Sequence, residues 1–260
     1  MIRVVVGGAT GKMGSMVCQL VQRQMDIQLT GGIVSSKGGN AGKVIAPGVL
    51  TFGDDGIEEV LENADVYVDV TCATAAKKNL PKVARAGVNA VVGTTGISKD
   101  EMDEFVKIVN QHRVSAVATP NFSIGVNVFW KLCGTLAVAL PTYDVEIVEI
   151  HHRMKQDAPS GTAKRTAEII AGTTGADEIV YGRQGLVGAR GREIGIHSIR
   201  AGDVIGEHTV IFAGNKERLE LTHRAHSREA FAEGCIAAIR WVAFRKDGFV
   251  HTMEEVLGLC

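Results

Sequence analysis

His151, His152, Arg153 and Lys155 stand on one short stretch, and two residues further on the chain reads DAPSGTA, from Asp157 to Ala163. Histidine titrates near neutrality and lysine carries transferable protons, so either type could donate a proton to an anionic substrate. Pro159 sits near a helix start and Ser160 fits an N-cap, because Thr162, Ala163, Thr166, Ala167 and Ile170 continue on helical spacing. A helix N-terminus offers unpaired N–H groups and the positive end of the macrodipole, and Gly161 lets a ligand approach the backbone. The pattern therefore predicts a carboxylate site at Ser160, Gly161 and Thr162, faced by a cationic, proton-donating loop.

That loop needs rigid elements on both sides. Val145, Ile147, Val148 and Ile150 combine alternation with a buried-type run and predict a strand over 144–150. A second glycine-bearing turn stands at the other end of the chain. Ile2 to Val6 read as a strand, GATGKMG follows with Gly8, Gly11 and Gly14, and Met13, Met16, Val17, Leu20 and Val21 mark one face of a helix. Strand, glycine turn and helix form a dinucleotide-binding start, where pyrophosphate meets the backbone at a helix N-terminus. A second strand, 27–34, ends without the Asp or Glu that NAD-specific folds often carry there. It ends instead in Ser35, Ser36 and Lys37, which could hydrogen-bond and neutralise a 2′-phosphate and so favour NADPH over NADH.

The β/α alternation continues. DDGIEEVLENA from Asp54 reads as helix, 64–71 as strand, and 74–87 as a helix that should kink at Pro81 or start late. The strand over 89–95 ends in Gly93, Thr94 and Thr95, at the carboxyl end where ligand-binding loops leave a doubly wound sheet. Ser98 and Glu101 form a capping box before a helix, and a strand over 114–118 leads into TPNFSIGVN. A long apolar helix is expected over 126–140, a mobile glycine-rich loop over 172–195, strands over 196–200, 204–212 and 218–223, and a capped helix from Ser227. The expected fold is α/β: a Rossmann-like, doubly wound parallel sheet over 1–125 and 228–260, plus an α+β domain over 126–227 with an open mixed sheet.

HHRMKQDAPSGTA closely resembles the signature segment of the 4-hydroxy-tetrahydrodipicolinate (dihydrodipicolinate) reductase family, of the diaminopimelate route to lysine. GATGKMG, GTTG, TPNFSIGVN and RAGDVIGEHTVIF resemble the same family in the expected order. The resemblance implies His151 and Lys155 as the catalytic pair, and His152, Ser160, Gly161 and Thr162 as the grip on a cyclic dicarboxylate. It implies cofactor contacts from Gly8, Ala9, Thr10, Gly11, Lys12 and Met13, from Gly93 to Thr95, and from Thr119, Pro120, Asn121 and Phe122. It also implies a discontinuous cofactor domain and a homotetramer assembled through the second domain. The family commonly has a proline shortly after the strand ending at Thr71, where this chain reads CATAAKK, which puts that loop's cofactor contacts in question.

Bulk properties bound the alternatives. A formal net charge of −1 and no long basic run argue against nucleic-acid and membrane-surface partners. No signal peptide or membrane span is legible. The five cysteines are dispersed and never spaced as CxxC, so neither a disulfide framework nor a metal site is expected, and a cytoplasmic protein fits. A short-chain-type oxidoreductase would need Tyr-x-x-x-Lys, and none of Tyr67, Tyr143 and Tyr181 has a lysine four residues on. The remaining rivals are another Rossmann oxidoreductase acting on a cyclic imine, and a non-catalytic NADP sensor, which would have no need of HHRMK.

Overall fold

The computed structural model describes residues 1–259, and the chain divides into two compact units: Met1–Ser123 with the segment from Phe231 onward, and Ile124–Ala230. The first unit opens with β1 (Ile2–Gly7), α1 (Lys12–Gln22), β2 (Ile27–Val34), β3 (Val44–Ala46), β4 (Val49–Gly53) and α2 (Ile57–Leu61). It continues through β5 (Val66–Asp69), α3 (Ala73–Arg85), β6 (Asn89–Val92), α4 (Lys99–His112) and β7 (Ala116–Ala118). The second unit holds α5 (Ile124–Ala139), β8 (Asp144–His151), α6 (Gly161–Thr174), β9 (Glu178–Val180), β10 (Glu193–Arg200), β11 (Gly206–Ala213) and β12 (Arg218–Ala225). The chain then forms α7 (Glu229–Val242), β13 (Val250–His251) and α8 (Met253–Val256).

Strand order in the first sheet is β13-β7-β6-β5-β1-β2-β4-β3, parallel throughout except for the β3–β4 pair. The order reverses between β1 and β5, and a crevice at the carboxyl ends of those strands is where a doubly wound sheet takes its ligand. The strands are short and apolar on both faces because helices cover both. Val4, Val6, Val68, Val91 and Val117 pack with α1 and α7 residues such as Val17, Val21, Cys235 and Ile239. Val5, Tyr67, Ala90, Val92 and Ala116 pack with Ile57, Leu80, Val83, Phe105 and Val109 on the opposite side. The Ser98–Glu101 capping box is present in both halves, Glu101 N–H donating to Ser98 Oγ and Ser98 N–H to Glu101 Oε2.

Three local expectations change. The helix expected from Asp54 begins only at Ile57, because Asp54 and Asp55 turn to accept hydrogen bonds from Ser36. Of the two alternatives for α3, the late start is excluded: the helix begins at Ala73 and carries Pro81 inside, where the missing N–H leaves the Lys77 carbonyl without its helical donor. The loop expected over 172–195 is shorter than expected: regular structure takes up both its ends, and 181–192 has none. α6 extends to Thr174, β9 pairs with β10, and Arg183 and Arg190 are held by Glu146, Glu193 and Asp144.

The second sheet, β12-β11-β8-β10-β9, is mixed: β8 pairs in parallel with β10 and antiparallel with β11. One face carries the core. Val145, Ile147, Ile194, Ile196, Val210 and Phe212 pack against Trp130, Cys133, Ala163, Ala167 and Ile170 from α5 and α6. The same strand parity continues beyond this apolar part into Glu149, His151, Ser198, Arg200 and His208, so one sheet face turns from hydrophobic to titratable along its length.

Candidate active site

Within the second unit the polar end of that face meets the N-terminus of α6. Ser160 is the N-cap, accepting from Ala163 N–H at 3.2 Å, and the Ala158–Pro159 bond before it is cis. Glu149 is fully buried and accepts from His151 Nδ1 at 2.5 Å, from Arg200 Nη1 and Nη2 at 2.9 and 2.8 Å, and from Ser160 N–H at 3.2 Å. Burial pushes the Glu149 carboxyl up, but the hydrogen bonds from His151 and Arg200 outweigh it and hold the group well below the usual carboxylate range. His208 lies edge-on to His151, with ring centroids 5.2 Å apart, and its Nε2 meets Ser160 Oγ at 2.9 Å. Burial first, then the neighbouring His151, lowers His208 to about 3, so this imidazole is neutral.

The predicted loop residues take distinct places. His151 is the last residue of β8 and only 8% exposed, whereas His152 and Lys155 lie on the loop, with Arg228 Nη2 3.3 Å from His152 Nε2. Lys155 Nζ pairs with Asp157 Oδ1 at 2.8 Å, and this lysine is the largest influence holding the Asp157 carboxyl below its ordinary range. Arg200 Nη2 donates to the Asp157 carbonyl at 2.7 Å, tying the loop to β10. Ser160, expected to hold substrate with Gly161 and Thr162, instead has its N–H and Oγ engaged by Glu149, Ala163 and His208 and is 2% exposed. It builds the helix terminus that Gly161 and Thr162 present. Glu149 and His208 were not singled out from the sequence, although Glu149 shares strand parity with Val145 and Ile147.

The first unit carries its own site at the β1/β5 reversal. Gly8 has φ +77°, and a Cβ there would stand 2.6 Å from the Val70 carbonyl. At Gly14 it would stand 2.0 Å from the Gly8 carbonyl, so the turn closes onto α1 only with glycine at these positions. Gly11 caps α1 without a side-chain hydrogen bond, and the first turn has no acidic residue, leaving N–H donors for an anion. A pocket of about 770 Å³ opens there, lined among others by Gly8, Gly11, Ser35, Ser36, Lys37, Thr71 and Cys72. A smaller cleft of about 280 Å³ shares Val70 and Thr71 with it and is lined by Met13, Gly93, Thr94, Thr95, Pro120, Asn121, Phe122 and Phe231. A glycine turn, donors at a helix end and an elongated pair of clefts fit a dinucleotide.

Ala9 is buried and lies in the core, and Thr10, Ala9, Lys12 and Thr119 line neither cleft. Thr119 Oγ1 instead shapes its own turn, donating to the Asn121 carbonyl and accepting from Asn121 N–H. The questioned loop after β5 does line the larger pocket through Thr71, Cys72 and Thr74. Asp69, fully buried, accepts from Thr71 and Thr94 and so links the loops that follow β5 and β6. Asp54 and Asp55 bring to Ser36 the carboxylates that the sequence lacks at the end of β2. They arrive through the parallel pairing of β2 with β4.

Comparison with known proteins decides between the readings that this geometry allows. Residues 2–122 match the sequence model for the N-terminal part of dihydrodipicolinate reductase, and residues 125–257 match that for its C-terminal part. The chain belongs to the dihydrodipicolinate reductase family. It is 46% identical over 265 residues to 4-hydroxy-tetrahydrodipicolinate reductase of Methanosarcina barkeri, covering both chains completely. It is also 46% identical to the Methanocaldococcus jannaschii reductase, over 100% of this chain and 98% of the relative. The fold is similar to a dipicolinate-bound dihydrodipicolinate reductase from Paenisporosarcina, with a TM-score of 0.83, 27% identity, and coverage of 98% and 99% of the two chains. In this member of the family no cluster that could hold a metal ion is present among the described residues, and no described helix is long and apolar enough to cross a membrane.

Proposed function

We propose that the protein reduces 4-hydroxy-tetrahydrodipicolinate to tetrahydrodipicolinate, with loss of water, in the diaminopimelate route of lysine biosynthesis. The observation that carries this reading is the loop from His151 to Thr162, a proton-donating cationic segment beside a helix N-terminus, in a chain matched to the family over its whole length.

NAD(P)H, when bound, supplies the hydride. Gly8, Gly11 and the N-terminus of α1 receive its pyrophosphate, while Gly93 to Thr95 and Asn121 to Phe122 line the smaller cleft for the nicotinamide half. Lys155 stabilises negative charge developing towards the ring nitrogen, and His151 gives a proton to the ring carbon through Nε2. His152, Gly161 and Thr162 hold the two carboxylates and fix the ring. NADPH remains the favoured nucleotide because Lys37 can meet a 2′-phosphate. Asp54 beside Ser36 offers acceptors for the ribose hydroxyls of NADH, so both nucleotides are substrates. We place the enzyme in the cytoplasm, where the buried Cys18, Cys133 and Cys235 stay reduced, and assign it a homotetramer built on the second unit's sheet.

Nicotinamide absorbance, followed on adding freshly made condensation product of aspartate-semialdehyde and pyruvate, tests the reading with NADPH and NADH in parallel. Rapid oxidation is expected. A folded protein that binds NADPH but oxidises neither nucleotide would be a sensor or would act on another imine.

A further inference from the structure

Glu149 has no part in the reaction as described, yet it sits at the centre of the second unit's polar face. A buried carboxylate is retained only where donors satisfy it, and here they come from three elements: His151 on its own strand, Arg200 on β10, and Ser160 N–H at the start of α6. The Arg200 fork balances the charge of Glu149. The bond to His151 Nδ1 then requires a hydrogen on that nitrogen, since an ionised carboxylate can only accept.

This leaves Nε2 as the ring nitrogen without a hydrogen-bond partner among the described residues. Gly206 lies against that edge, and a Cβ there would stand 3.1 Å from Nε2. The charged or titratable groups around the ring are Glu149, Arg200 and His208, with Lys155 and Asp157 on the adjoining loop.

We infer that Glu149 is a positioning residue: it orients His151 and keeps the Nδ1 hydrogen in place, so that the proton His151 takes from solvent is carried on Nε2 and passes from there to substrate. This rests on the assignment of His151 as proton donor. A carboxylate behind an imidazole does the same work in other enzymes by selecting the ring tautomer and stabilising the protonated ring.

The test compares wild type, His151→Ala, Glu149→Gln, Glu149→Asp, and the double variant Glu149→Gln/Arg200→Met, which leaves no guanidinium facing the amide. Glu149→Gln should lower kcat by roughly 10²- to 10⁴-fold, change the pH dependence of kcat, and leave NADPH affinity and dipicolinate affinity within threefold. Glu149→Asp should recover part of the rate. In ¹⁵N-labelled protein the His151 signals, identified by their loss in His151→Ala, should show Nδ1–H in wild type and Nε2–H in the double variant. If Glu149→Gln will not fold, the double variant carries the same kinetic and spectroscopic tests.

Wild-type rate and pH profile in a folded Glu149 variant, or an unchanged His151 tautomer, would overturn the inference. A wild-type protein inactive on the cyclic substrate, or a fully active His151→Ala, would instead overturn the assignment on which it rests.

Discussion

Lys155 and Lys37 are the two lysines to which the proposed reaction assigns charge, and their surroundings differ. Lys155 is held by Asp157 on the loop after β8, within the second unit. Lys155→Ala should therefore cut kcat by roughly 10²- to 10³-fold, the usual cost of one electrostatic group at the developing charge, while NADPH titration gives the wild-type affinity. Lys37 lines the nucleotide pocket beside Ser36, Asp54 and Asp55. Lys37→Glu should weaken NADPH more than NADH, and Asp54→Asn should weaken NADH more than NADPH. Calorimetric titration of both nucleotides checks the pair, and equal losses in either variant would remove that residue from 2′ recognition. Residue types revealed the histidines, the lysines and the glycine turn because their chemistry is local. Asp54 was not legible, since only the pairing of β4 with β2 brings it to Ser36. Glu149 lay within reach of simple alternation, but Val148 and Ile150 blur the period-2 pattern of β8 and hide which face is inward.

Elements explain why an ionisable face can exist inside the second unit. β8, β10 and β11 each place apolar residues under α6 and then, at the same parity, polar ones at its N-terminus, where Ser160 N–H and the helix dipole favour the Glu149 anion. His208 bears the cost. In the unfolded chain its imidazole binds a proton near pH 6.5, whereas in the fold burial lowers it to about 3. Between these values the unfolded state holds more protons, so stability is complete above about pH 6.5 and is lost as pH falls, by at most about 1.4 kcal/mol per unit from this group. His223, lowered in the same sense by burial, adds to the trend. His208→Gln should flatten the acid limb of urea midpoints measured from pH 7 to pH 4, and an unchanged slope would show that other groups dominate it. Sequence boundaries were legible where caps are local, as at Ser98 and Ser160. They failed where long-range partners decide, as at Asp54, whose bonds with Ser36 delay α2 to Ile57.

At the scale of the whole molecule, the second sheet poses the question of what covers its other face. Val145, Ile147, Val210 and Phe212 face the core with α5 and α6, while Val148, Thr209, Ile211 and Glu146 point the opposite way and belong to none of the unit's buried cluster. That outer face is mixed: half-buried Val148 and Ile211 lie among Glu146, His197 and the arginines that bind Glu146. The solvated face of an antiparallel pair commonly alternates to polar residues, and the β8–β11 pair, with Val148 and Ile211 outward, does not. Its apolar residues favour a symmetric partner, and a polar–apolar mosaic with paired charges suits a specific interface better than loose hydrophobic association. For the proposed homotetramer the solution mass should be four times 27.6 kDa. Thr209→Arg, which adds a cation at the middle of the outer face opposite Val148 and Thr222, should shift light scattering to a smaller species. Nucleotide binding by the first unit should persist, because its core and clefts draw on no residue of this sheet. A monomeric wild type, or a tetramer indifferent to Thr209→Arg, would place the assembly surface elsewhere.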